Sequence, residues 1–121
     1  MISLTLHRAI PLLPLLAIFG VFAGPIWATQ PAPPANVLTQ AVQIRNFAFV
    51  PAVLTVAPGT TVIWTNADED PHSVVSTSKA FRSGALDTDG KFSFTFTRPG
   101  DYAYFCSLHP HMTAKIVVRP K

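Results

Sequence analysis

The segment "KFSFTFT" (Lys91–Thr97) sets the strongest limit on the fold. Phe92, Phe94 and Phe96 alternate with Ser93, Thr95 and Thr97. An extended chain therefore puts aromatic rings on one face and hydroxyls on the other. A helix, at about 3.6 residues per turn, would smear both sets around its surface. The same alternation recurs in "VQIR" (42–45), "HSVVS" (72–76) is short and β-branched, and "VIW" (62–64), "YAYF" (102–105) and "AKIVV" (114–118) complete the set of strand-like runs. Turn signals separate these runs: "APGT", where Pro58-Gly59 suits a type II turn, and "RPGD". About seven short strands and no long amphipathic helix predict an all-β sandwich or barrel. Trp64, Phe92, Phe94 and Phe96 are its expected core, since aromatic side chains bury the most area per residue. The longest irregular stretch, "STSKAFRSGALDTDG" (76–90), is expected to cross one end or edge.

The chain of 121 residues suggests one domain behind a leader. Residues 1–8 are short and basic (His7, Arg8), and Ala9 to Ala28 carries no charge. This reads as a signal peptide, residues 1–28, cleaved after Ala28. The rival is a membrane anchor, for which about 20 apolar residues suffice, but Pro11, Pro14 and Pro25 interrupt the run. No Arg-Arg pair precedes it and no Cys near its end offers a lipid site. The Pro/Ala-rich "TQPAPPAN", residues 29–36, reads as an extended linker. Residues 37–121 form the folded domain, long enough for one modest core. The expected location is periplasmic or otherwise exported.

Nine Lys/Arg against six Asp/Glu give a formal charge of +3, and the basic residues are scattered. That excludes nucleic acid as the expected partner. The one local charge cluster is acidic, "DED" at Asp68–Asp70, and reads as a solvated turn or, less simply, a docking patch.

The chemistry gathers in "CSLHPHM", Cys106 to Met112. It holds the single cysteine, which has no internal disulfide partner in an oxidising compartment. Cys106, His109 and Met112 sit between two predicted strands, on one tight end loop of the kind that carries function on a rigid scaffold. His72, in "DEDPHSV", is the one candidate ligand outside this loop. Two imidazoles, a thiolate and a thioether are the donors of a type 1 copper site, with Met112 axial. Zinc would take four strong ligands, for which a thioether is poorly suited. His111 is an alternative ligand or an exposed neighbour of the site.

The pattern "C-x-x-H-P-x-M" as "CSLHPHM", with "FAFVPAVLTVAPGTTVIWTNADEDPHSV" upstream, resembles the cupredoxins and, in its short loop, the amicyanins. The resemblance covers nearly all of Val42 to Val118. It implies a Greek-key β-sandwich, one copper ion and the shuttling of single electrons between larger redox proteins. It also implies that Asn66, six residues before His72, ties the two ligand loops together near Ser107. His111 departs from the family, where this position is usually apolar.

Pro71, Leu108, Pro110 and His111 would surround the exposed edge of His109 as a docking collar for transient redox encounters. The expected partners are redox proteins such as a c-type cytochrome or a dehydrogenase, with no small-molecule substrate, and a monomer is expected. The chain is read as a carrier and not an enzyme. Copper trafficking or storage is the alternative. A fragment of a multicopper enzyme is a weaker one, because His72, His109 and His111 leave no imidazoles for further copper centres.

Overall fold

In the computed structural model the described residues are 9–14, 20 and 38–121. The leader and linker readings thus lie largely outside them. The chain divides into units Met1–Pro31 and Ala32–Lys121, and the fold below is that of the second. Among the described residues no helix is long and apolar enough to cross a membrane.

Among the described residues eight strands follow one another: β1 Thr39–Arg45, β2 Ala48–Val50, β3 Val53–Val56, β4 Thr60–Asn66, β5 Val75–Ser76, β6 Lys91–Phe96, β7 Gly100–Phe105 and β8 Thr113–Val118. They form two four-stranded sheets, ordered β2-β1-β4-β6 and β3-β8-β7-β5. The inward faces close over one core, as the alternation predicts. Trp64 lies at its centre, 5.6 Å from the rings of Phe81, Phe92 and Tyr104. Phe96 is buried as expected, but Phe92 and Phe94 are only partly so. They share its face, but β6 is an edge strand, with no neighbouring strand on one flank among the described residues.

Two features of the fold position the site. The first is the parallel pairing of β1 with β4, whose register sets Ile44 beside Asn66. It carries the β1–β2 turn, Asn46-Phe47, next to the segment that follows Asn66. Both turn residues are left-handed, at φ 51° and 56°, as a two-residue type I′ hairpin loop requires. Asparagine tolerates this conformation; for a phenylalanine it costs about 1–2 kcal/mol. The predicted type II turn is also present, with Gly59 at φ 90° and Thr60 N–H donating to Ala57 O at 3.2 Å.

The second is the irregular segment 76–90, which folds back along 72–76 instead of merely crossing an edge. Ser76 N–H bonds Phe81 O, Ser83 N–H bonds Val74 O, and His72 and Leu86 exchange both backbone bonds (3.1 and 2.6 Å). Phe81 and Leu86 enter the core from this segment. "HSVVS" is consequently a strand only at Val75–Ser76, the rest being held by these isolated bonds.

Candidate metal centre

β7 delivers Cys106 and β8 begins at Thr113, so the seven-residue loop between them must turn tightly. It closes on itself: Cys106 N–H donates to Met112 O (3.1 Å) and Met112 N–H to His109 O (2.9 Å). The loop thereby returns Met112 to the core, where it is buried beside Cys106. The antiparallel pair β5–β7, in register Val75↔Phe105, brings the segment from His72 alongside.

His72 and Cys106 are fully buried and His109 is half-buried. His72 Nδ1 and His109 Nδ1 each lie 3.8 Å from Cys106 Sγ. All three donor atoms fall within 4.8 Å of one another. Zinc, a first-row ion of similar size, holds thiolate sulfur at about 2.3 Å and imidazole nitrogen at about 2.0–2.1 Å. A trigonal angle then separates S from N by about 3.8 Å, and a tetrahedral one by about 3.6 Å. Both observed spacings are short enough for one ion to bind the three donors together, as a His₂Cys copper set requires. The residues present therefore fit copper. His111 is exposed and lies outside this cluster.

Burial opposes ionisation of the Cys106 thiol. The Ser73 amide at 3.3 Å, the two imidazoles and the Leu108 backbone outweigh it and bring the thiol from 9.0 down to about 6. The site thus favours the thiolate that a soft ion needs.

His72 is oriented from behind. Its Nε2 lies 2.9 Å from Asp68 Oδ2. A carboxylate only accepts, so Nε2 carries the proton and Nδ1 presents its lone pair to the donor cluster. Asp68 is in turn gripped by two backbone amides, Asn46 N–H to Oδ1 at 2.6 Å and Phe47 N–H to Oδ2 at 3.0 Å. Burial works against its charge, but these bonds and His72 hold the carboxyl below its usual range. The "DED" run is therefore more than a solvated turn: Asp68 supports the metal centre. Sequence reading missed this because its partners lie 21 and 22 residues upstream.

Asn66 does not carry the tie expected of it. Fully buried, it donates through Nδ2 to Asp70 O and Leu86 O (both 2.8 Å) and accepts from Asp68 N–H at 3.0 Å. It organises the turn before His72 and its contact with segment 76–90. The tie between the ligand loops is made by Ser73, whose Oγ accepts from Ser107 N–H at 2.8 Å and lies 2.7 Å from Ser107 Oγ. Asn66 is too far back along the chain; the residue directly after His72 faces the residue directly after Cys106. The expected collar residues Pro71, Leu108, Pro110 and His111 are all exposed, and His109 is half-buried. Phe47, which the sequence reading did not single out, stands against both imidazoles, with centroids at 5.3 Å from His72 and 5.1 Å from His109.

Comparison with known proteins agrees with this geometry. A family model described as a cupredoxin-like domain matches residues 16–118. The chain is 30% identical to amicyanin of Paracoccus versutus, over 89% of this chain and 93% of that one. It is 33% identical to amicyanin-alpha of Methylorubrum extorquens, over 79% and 82%. A solved structure of a reduced tryptophan-to-tyrosine mutant of amicyanin superposes with a TM-score of 0.64 at 30% identity, covering 70% of this chain and 85% of that one. The two-sheet sandwich, the donor cluster on its end loops and these matches have one meaning: the chain belongs to the cupredoxin-like family and resembles the amicyanins within it.

Proposed function

We propose that this cupredoxin is an exported electron carrier, with His72, Cys106, His109 and Met112 holding one copper ion. The observation that carries the reading is the pair of equal 3.8 Å separations from Cys106 Sγ to the two Nδ1 atoms. Copper at such a site supplies a one-electron change between Cu(II) and Cu(I). The chain's part is to hold its donors still. Asp68 fixes the ring of His72, Ser73 locks the two loops together, and the closed turn from Cys106 to Met112 limits movement of His109. Donors fixed in advance by the fold rearrange little when the charge of the site changes, which favours fast transfer.

His109 is the most exposed of the four ligands, and the exposed Pro71, Leu108, Pro110 and His111 are its proposed collar. Leu108 is 50% exposed. This collar is the docking face for a redox protein, such as a c-type cytochrome or a dehydrogenase, bound briefly over a small apolar area. Residues 1–28 direct export, residues 29–36 link, and residues 37–121 are the carrier domain. The likeness to amicyanins, which are electron carriers, supports a carrier and not an enzyme.

Addition of copper(II) to the purified protein is expected to give an intense blue colour that ascorbate bleaches and a mild oxidant restores. A colourless complex overturns the reading.

A further inference from the structure

The turn Asn46-Phe47 has a conformation that its own sequence does not favour. The second central residue of a type I′ turn is ordinarily glycine, yet here it is a phenylalanine at φ 56°. Core burial does not explain the choice, because Phe47 is 47% exposed and lies outside the core cluster. A large aromatic side chain on a strained and half-open backbone calls for a reason at the site it touches.

Phe47 touches both imidazoles. Its ring is perpendicular to each, at 86° to His72 and 88° to His109, in the edge arrangement that aromatic quadrupoles prefer. His72 and His109 are themselves 4.9 Å apart. One ring thus braces two rings that come from different loops. The same turn reaches His72 by a second route, because the Asn46 and Phe47 amides grip the Asp68 carboxylate that holds Nε2. His72 is completely buried, and the half-exposed Phe47 lies against it.

We propose that Phe47 is a positioning residue that braces His72 and His109 against each other, its left-handed backbone held in place by the bonds to Asp68. The β1–β2 turn is then a third supporting loop of the centre, beside the His72 segment and the Cys106–Met112 loop. The inference rests on the copper reading above, and the experiment separates the two.

The test compares wild type with Phe47→Gly, Phe47→Leu and Phe47→Tyr in the purified full chain. Copper uptake by wild type, read from the blue band, comes first; its failure overturns the carrier reading and this inference with it. Glycine relieves the left-handed strain, so the metal-free Phe47→Gly protein is expected to melt at or above the wild-type temperature. The same variant is expected to release copper to a chelator about tenfold faster, as loss of a supporting contact does. Phe47→Tyr keeps the ring and is expected to release copper at the wild-type rate. Phe47→Leu, apolar but without a ring, should fall between glycine and wild type. A structural role alone lowers the melting temperature and the retention of copper together, whereas bracing lowers retention without lowering the melting temperature. Wild-type release from Phe47→Gly overturns the inference, and so does faster release accompanied by a lower melting temperature.

Discussion

Asp68 Oδ2 lies 2.9 Å from His72 Nε2, while His72 Nδ1 faces Cys106 Sγ at 3.8 Å. One side chain thus has its proton placed by a carboxylate on one flank and its lone pair aimed at the metal site on the other. Removing the negative charge is the direct probe of this link. Asp68→Asn keeps the shape and is expected to weaken copper binding by about 10–100-fold, the usual cost of losing a ligand's supporting partner. Competition with a chelator of known affinity measures it. An unchanged affinity would show that His72 does not depend on Asp68.

Ser73 and Asn66 separate the integrity of the site from that of the fold. Ser73→Ala breaks the tie to Ser107 and is expected to cost about 1–2 kcal/mol, with a broadened or shifted copper band. Asn66→Ala leaves two carbonyls and an amide without their partner and is expected to cost more, about 3 kcal/mol or above. Denaturant unfolding of the metal-free variants gives both figures. A larger loss from Ser73→Ala would reverse the roles assigned here.

The Cys106 thiol makes the metal-free protein pH-dependent. Its folded value of about 6 is below the ordinary 9.0. Between these values the unfolded chain binds the extra proton, so stability rises with pH there. The contribution is complete above about pH 9 and is lost as pH falls through about 6. Thiolate ultraviolet absorbance of the folded apoprotein should titrate with a midpoint near 6, and a Cys106→Ala control should lack the transition. A midpoint near that of a free thiol would contradict the stabilisation by Ser73 and the imidazoles.

Met112 is the axial candidate. Met112→Gln is expected to retain copper but lower the reduction potential, because a harder oxygen donor favours the oxidised ion. Cyclic voltammetry of the two proteins decides it. An identical potential and spectrum would remove Met112 from the ligand set.

Much of this was legible along the chain because the relevant geometry is local. In "KFSFTFT" the pleat alone puts three phenylalanines on one face. In "CSLHPHM" a seven-residue connection between adjacent strands cannot carry Cys106, His109 and Met112 far apart. His72 was accessible as the one candidate left outside that loop. Even the partial exposure of Phe92 and Phe94 altered only the degree of burial and not the face.

What escaped was everything that depends on register between distant strands. Asp68 looked like part of a solvated acidic run, and nothing along the chain singled out Phe47. The parallel β1–β4 pairing alone sets Ile44 beside Asn66, and so carries the Asn46-Phe47 turn onto Asp68. The Val75↔Phe105 register likewise made Ser73, and not Asn66, the partner of Ser107. The sequence by itself determined the β architecture, the donor types and their tight spacing on one loop, because backbone period and short connections leave little freedom. The tertiary structure alone decided which side chains hold those donors in place. Long-range strand register, set by the packing of the whole core, brings such partners together, and no local spacing encodes it.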